Sequence, residues 1–298
     1  MIVVQLQGGL GNQMFQYAAG KALSLQLNCS LKVDLNILES KNDTFSNNYL
    51  HTRSYELNIF QNLEIEIVKN KDLLKFLHGS QLNKIKRKLG LPNYKVYQEN
   101  EFVYSDHYFN LKPPVLLKGY FQSENYFIRF EKIIRQSFRF PLEDLGDSNN
   151  DLLQAIQKTE SVSIHVRRGD YLIPEIFKVH GICEKSYYVN AIERIKKKYP
   201  NASLYFFSDD AEWIQNNLLK YFPNSTLISG NHAKDSWKDM FLMSSCKHNI
   251  IANSSFSWWA AWLNNNPEKM IIAPRQWFKI EDKNFNASSL IPSNWISI

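Results

Sequence analysis

Apolar and polar positions alternate in distinct regimes along this chain. Met1–Leu6 is an apolar run that reads as a short buried strand and ends in the turn Gln7-Gly8-Gly9-Leu10-Gly11. A helical period follows from Asn12 to Leu27, with Phe15, Ala18, Ala19 and Ala22 at i, i+3, i+4 and i+7 on one face. Leu31–Leu35 reads as a second strand. Strand, helix, strand in that order predicts a parallel sheet. The pattern weakens from 40 to 110, a stretch rich in Asn, Lys and Tyr. There a strand is expected over Leu63–Val68, with helices over Lys69–Leu77 and Gln81–Leu89. Val115–Lys118 reads as a buried strand and Glu124–Phe138 as a helix.

The polar, turn-rich segment from Pro141 to Asn150 marks the expected domain boundary. Beyond it, strands are predicted over Ser161–Val166, Ser203–Ser208, Thr226–Ile228, Asn249–Ala252 and Met270–Ala273. Helices are predicted over Lys185–Lys198, Ala211–Leu219, Lys234–Ser245 and Ser257–Asn265. This alternation is that of a doubly wound α/β domain, which binds ligands at the carboxyl ends of its strands. The expected division is 1–150 and 151–298, with the C-terminal tail free to pack back on the first domain.

Composition narrows the class. With 44% hydrophobic residues, the 298-residue chain has enough apolar surface for a packed core, and its seven Trp are read chiefly as core. A net charge of +6 points to an anionic partner without naming it. The cations are spread along the chain and match no nucleic-acid module, so no nucleic acid is expected. Cys29, Cys183 and Cys246 are scattered and odd in number, which argues against a disulfide framework or zinc site and fits a reducing cytoplasm. The N-terminus has neither a basic leader nor a long apolar stretch. Lys84, Lys86, Arg87 and Lys88 form a basic patch, read as a solvated helix face or as a dock for an anionic membrane.

Four segments carry candidate chemistry. In Ser161–Asp170, strand alternation sets His165 and Arg167 on one face, opposite Val162, Ile164 and Val166. Their guanidinium and imidazole groups would meet a ligand at the strand end, where Arg suits a diphosphate. Arg168 reads either as a second ligand or as a brace paired with an Asp. Phe206-Phe207-Ser208-Asp209-Asp210 ends the next strand; Asp210 could accept two hydrogen bonds from guanine or cap the following helix. Asn253-Ser254-Ser255-Phe256-Ser257 opens a helix whose first N–H groups suit an anion. The fourth segment, Gly8–Gln13, invites a dinucleotide reading, but Met14 replaces the third glycine of that fingerprint. No Asp-x-Asp spacing or His cluster suggests a metal.

Together these segments resemble the bacterial α-1,2-fucosyltransferases of glycosyltransferase family 11. Gly8 through Ala18 looks like that family's opening signature, and His165 through Tyr171 like its H-x-R-R-x-D motif. Phe207–Asp210 and Asn253–Trp259 resemble two later motifs in the right order, and Gly119-Tyr120-Phe121-Gln122-Ser123 is also familiar from the family. The resemblance implies a GT-B-type α/β architecture, two Rossmann-like domains facing a central cleft, with the acceptor on the first and the donor on the second. It implies inverting transfer of L-fucose from GDP-β-L-fucose to the 2-hydroxyl of a terminal β-galactoside, on an oligosaccharide or lipid-linked glycan of O-antigen type. No metal or cofactor is implied. The implied location is cytoplasmic, peripheral on the inner membrane if at all.

The resemblance also implies roles. Arg167 would bind the β-phosphate, His165 and Asp210 would lie at the guanosine, and Asn253, Ser254, Ser255, Phe256 and Ser257 would line the donor. Gly11 and Asn12 would approach the donor from the first domain. Two carboxylates compete as catalytic base. Asp170 follows the arginines, and Glu175 stands ten residues after His165, the offset used by a related α-1,6 group. A reaction needing no dedicated base is the third option.

Overall fold

The computed structural model describes residues 1–39, 53–77, 93–99, 102–280, 282 and 286–298. The chain divides into two units, Met1–Arg139 with Asn286–Leu290, and Phe140–Phe285 with Ile291–Ile298. Each is built on a parallel sheet, so the class is α/β as expected.

In the first unit β1 (Ile2–Gln5), β2 (Leu31–Asp34), β3 (Lys95–Gln98) and β4 (Val115–Lys118) pair in the order β2-β1-β4-β3, all parallel. β1 lies inside the sheet with Ile2, Val3 and Val4 fully buried, which suits β-branched side chains covered on both faces. After it comes α1 (Leu10–Gln26), which buries Met14, Phe15, Ala18, Ala19, Ala22 and Leu23. Burying Phe15 or Leu23 stabilises by roughly 2 kcal/mol each. The helices α2 (Asn36–Glu39), α3 (Asn70–Leu77) and α4 (Glu131–Ser137) complete the described part of this unit. An aromatic cluster fills it, with Tyr108 and Tyr126 ring centroids 4.8 Å apart and Phe121 and Tyr126 5.2 Å apart.

Several expectations are corrected here. No strand forms over Leu63–Val68; one isolated parallel bridge joins Ile67 to Val33. Glu124–Phe138 is not one helix. Two 3-10 turns, Glu124–Tyr126 and Ile128–Phe130, precede α4, because Phe127 leaves the helical region at φ −144° to bury its ring against Phe15. Strand β3 has no counterpart in the sequence pattern, since an edge strand with Val96 exposed carries no continuous apolar run. The expected helix Gln81–Leu89 and the basic patch Lys84, Lys86, Arg87 and Lys88 lie outside the described residues.

In the second unit β5 (Ser161–Val166), β6 (Ser203–Ser208), β7 (Thr226–Ile228), β8 (His248–Ile250), β9 (Ile271–Ala273) and β10 (Ile296–Ser297) form one parallel sheet. Its order is β7-β6-β5-β8-β9-β10. That is the 3-2-1-4-5-6 order of a dinucleotide-binding fold, and strand order reverses between β5 and β8. The helices are α5 (Asp147–Gln157), α6 (Pro174–His180), α7 (Lys185–Lys198), α8 (Ala211–Ile214), α9 (Ser236–Ser245) and α10 (Ser255–Leu263). Two of these are absent from the sequence expectation. α5 begins inside the segment read as a polar boundary, and α6 starts with Pro174 at its first turn, a position where proline suits a helix. The expected helix over Ala211–Leu219 continues past α8 as a π turn, Gln215–Leu219. α10 carries Trp258, Trp259 and Trp262 into the core, at most 3% exposed. All three cysteines are free.

Candidate functional site

The site forms where β5 and β8 diverge. β5 is buried along its whole length, so its alternation does not produce an open ligand face. Its functional side chains emerge only beyond Val166, where the strand stops. His165, the last but one residue of β5, is 6% exposed, and its Nδ1 finds no hydrogen-bond partner among the described residues. Burial and the neighbouring Arg167 push its pKa down to about 3, so the ring is neutral. Phe256, from the first turn of α10, sits 5.8 Å from it, centroid to centroid.

The two arginines diverge. Arg167 Nη2 lies 2.5 Å from Asp170 Oδ1, and Nη1 lies 2.8 Å from Asp209 Oδ2. Burial opposes its charge, but Asp209 and Asp170 more than offset that and raise its pKa. Its side chain is still 24% exposed, so it remains reachable. Arg168 donates from Nε to Asp210 Oδ2 at 2.9 Å and from its backbone N–H to Asp209 Oδ1 at 2.9 Å. Its guanidinium covers the Trp213 ring at 4.5 Å. Arg168 is thus the brace, joining the end of β5 to the end of β6. Gly169 is required by closeness: a Cβ there would stand 2.6 Å from Asp209 Oδ2.

Asp210 takes the capping role. Its Oδ1 accepts from the Trp213 N–H at 3.0 Å, at the start of α8, and Oδ2 faces Arg168. The Asn253 side chain is buried and committed to the protein. Its Nδ2 donates to the carbonyls of His180 at 2.9 Å and Trp277 at 3.2 Å, and its Oδ1 accepts from Cys183 Sγ at 3.6 Å. Ser254 is the extended N-cap residue of α10 at φ −138°, with no side-chain capping bond. The first-turn N–H groups over Ser255–Ser257 therefore have no intrahelical acceptor and gather at this end of the sheet. Ser257 itself is buried, its Oγ donating to the Ser254 carbonyl at 3.3 Å. Glu175 is exposed, in the first turn of α6.

Two contributors are not marked by the sequence pattern. Of the two carboxylates after β6 the sequence reading singles out Asp210, yet it is Asp209 that joins Asp170 in holding Arg167. Tyr171 lies under Arg167, its ring 5.4 Å from the guanidinium, and donates its hydroxyl to the Asn253 carbonyl at 3.1 Å. Burial pushes the Tyr171 phenol up to about 12. The run from Arg167 to Tyr171 holds a signal for this pair, because a cation and an aromatic four residues apart across a turn can stack.

The first unit has its own reversal of strand order, between β1 and β4. Gly11 is buried in the opening turn of α1. Asn12 follows it, and its Oδ1 accepts from Gln122 Nε2 at 2.8 Å. Gln13 is fully buried and stitches this loop to the next segment. Its Nε2 donates to the carbonyls of Gly8 and Ser54, both at 2.8 Å, and its Oε1 accepts from Glu56 N–H at 2.9 Å. Among the described residues no three His, Cys, Asp or Glu side chains gather as metal ligands, and no helix is long and apolar enough to cross a membrane.

Known proteins resemble this chain in sequence and in fold. An α-1,2-colitosyltransferase of Escherichia coli is 36% identical over 302 aligned residues, covering 100% of this chain and 99% of the relative. The O-antigen biosynthesis glycosyltransferase WbnK of Escherichia coli is 33% identical, covering 98% and 99%. Human galactoside α-(1,2)-fucosyltransferase 1 is 27% identical over 53% of this chain and 46% of its own. Among solved structures, POFUT1 in complex with GDP shares the fold at a TM-score of 0.52, with 13% identity over 91% of this chain and 97% of that one. The glycosyltransferase family 11 model matches residues 1–298. A match spanning every strand of both sheets and both reversals of strand order makes this chain a member of glycosyltransferase family 11.

Proposed function

We propose that this glycosyltransferase transfers L-fucose, with inversion, from GDP-β-L-fucose to the 2-hydroxyl of a terminal β-galactoside in O-antigen synthesis. The observation that carries the reading is Arg167, a reachable guanidinium at the β5–β8 reversal, at the same end of the sheet as the first-turn N–H groups of α10. Both the fold and the chemistry favour a diphosphate there. The fucosyl and galactoside parts draw on the names of the α-1,2 relatives.

In this reaction the acceptor oxygen forms a bond to the anomeric carbon as the bond to the diphosphate oxygen breaks. Negative charge collects on the departing GDP, and the acceptor proton passes to that diphosphate or to water, with no dedicated base. Arg167 meets that charge in a half-buried setting, where a positioned cation stabilises far more than in water. Asp170 and Asp209 hold Arg167 extended before the donor arrives. Asp170 therefore serves as a brace in this proposal, and no metal is required.

A second donor is favoured by one specific finding, the 36% identity to a colitosyltransferase along the whole chain. Colitose is fucose without its 3-hydroxyl, so the two donors differ by one polar contact. The test is direct. Purified enzyme in EDTA is given GDP-fucose or GDP-colitose with a panel of β-galactosides, and the product linkage is read by NMR. An α-1,2-fucosyl product supports the proposal. Exclusive use of GDP-colitose would replace the donor, and transfer to another hydroxyl would replace the linkage.

A further inference from the structure

A buried carboxylate in the first unit organises the loop that carries Asn12. Glu99 follows β3 directly and is 9% exposed, its backbone N–H donating to the Lys118 carbonyl at 2.8 Å. Its Oε2 accepts from the backbone N–H groups of both Tyr120 and Phe121, each at 2.7 Å. Burial raises the pKa of this carboxyl, and the two amide hydrogen bonds oppose that rise.

The turn it closes is one the chain would not adopt unaided. Gly119 has φ +150° and Phe121 has φ +52°, a left-handed conformation that a bulky residue avoids. A Cβ at residue 119 would overlap the Glu99 side chain, so conformation and closeness both call for glycine there. Two aimed backbone donors and one carboxylate hold the turn against its strain.

What the turn delivers is directed at α1. The Gly119 carbonyl accepts from Gln16 Nε2 at 3.2 Å, and Gln16 Oε1 in turn accepts from the Gln7 N–H at 3.0 Å. Immediately after the turn, Gln122 donates from Nε2 to Asn12 Oδ1 at 2.8 Å. With its oxygen engaged, the Asn12 carboxamide keeps its amino group as the donating end. A carboxamide free to flip would present its oxygen part of the time, and a sugar oxygen would then meet an acceptor in place of a donor.

We propose that Glu99 is a positioning residue: it holds the Gly119–Phe121 turn and, through Gln122, fixes the side-chain amide of Asn12 as a hydrogen-bond donor at the carboxyl end of β1. This rests on the reading of Asn12 as a residue that approaches the donor. Glu99 touches no substrate and acts only through the turn.

A double-mutant cycle separates this role from general stabilisation. Glu99→Gln keeps the side-chain shape and replaces the carboxyl group that receives the Tyr120 and Phe121 N–H groups by a carboxamide. Expected is a fall in kcat of about tenfold, with donor KM within about threefold. In an Asn12→Ala background the same change should cost less than about twofold, because the group it positions is gone. Equal losses in the two backgrounds would overturn the proposal. Gln122→Leu, which leaves Glu99 and the turn intact, should behave the same way and covers the case in which Glu99→Gln folds poorly. Hydrogen exchange supplies a readout that needs no donor. Glu99→Gln should speed exchange in 8–14 as well as in 119–122, and faster exchange confined to 119–122 would also overturn the proposal. Absence of transfer by the wild-type enzyme from either nucleotide sugar counts against the proposed function instead, and the exchange result still decides Glu99.

Discussion

Both units bring functional side chains to the place where strand order reverses, yet they furnish it differently. In the second unit the reversal between β5 and β8 is lined by full charges: Arg167 and Arg168 against Asp170, Asp209 and Asp210, beside the N-terminus of α10. In the first unit, side-chain amides line the reversal between β1 and β4: Asn12, Gln13, Gln16 and Gln122, tied to backbone carbonyls and to each other. A guanidinium has the geometry to pair with phosphate, and here two carboxylates fix its direction. Of these only Asn12 is not buried, and its carboxamide, fixed in orientation by Gln122, is a neutral group of the kind that matches sugar hydroxyls. The same topology thus furnishes one reversal with full charges and the other with neutral groups.

Four substitutions can break or sharpen that contrast. The largest effect belongs to Arg167→Ala, which should lower kcat/KM by about a hundredfold or more, equivalent to about 3 kcal/mol of lost transition-state stabilisation. Steady-state kinetics on the folded variant checks it, and near-normal turnover would contradict the assignment. Asn12→Ala should lower kcat by about tenfold to fiftyfold while leaving GDP affinity within about twofold, as calorimetry would show. Weakened GDP binding in that variant would erase the division of labour. Asp170→Asn should cost about tenfold in kcat and keep the wild-type pH–rate profile, because a brace does not take the proton. Loss of the acidic limb would make Asp170 the base.

The smallest effect concerns His165. Its folded pKa is held at about 3, below the unfolded value near 6.5. Unfolding therefore takes up a proton once pH falls below about 6.5, and the stabilisation is lost progressively as pH drops from there toward about 3. Between pH 7 and 5.5 the wild type should lose about 1 kcal/mol from this source, and His165→Phe should not. Urea midpoints at the two pH values measure the difference.

Much of the second unit is legible in the sequence because its strands are short apolar runs that stop at polar, chemistry-bearing residues. Val166 is followed by Arg167, and Phe207 by Ser208-Asp209-Asp210, so the strand ends mark the site in the residue pattern itself. What sequence spacing does not convey is who meets whom. Arg168 and Asp210 lie 42 positions apart and come together only because β5 and β6 are parallel neighbours in register from Ser161–Ser203 to Val166–Ser208. The fate of Asn253 is equally hidden, since its partners His180 and Trp277 are set by tertiary packing. In the first unit Glu99 stands within a stretch without clear periodicity. An edge strand has one solvent-facing side and little apolar pattern, so the carboxylate after it gives no signal.

The central claim is that the charged reversal of the second unit, and not the amide-lined one of the first, receives the donor's diphosphate. Hydrogen exchange with and without saturating GDP, in EDTA, tests it most directly. Binding should slow exchange in 165–171 and in 253–258, at the ends of β5 and β8, with 8–14 little changed. Protection that spares 165–171, or that is confined to 8–14, would contradict it.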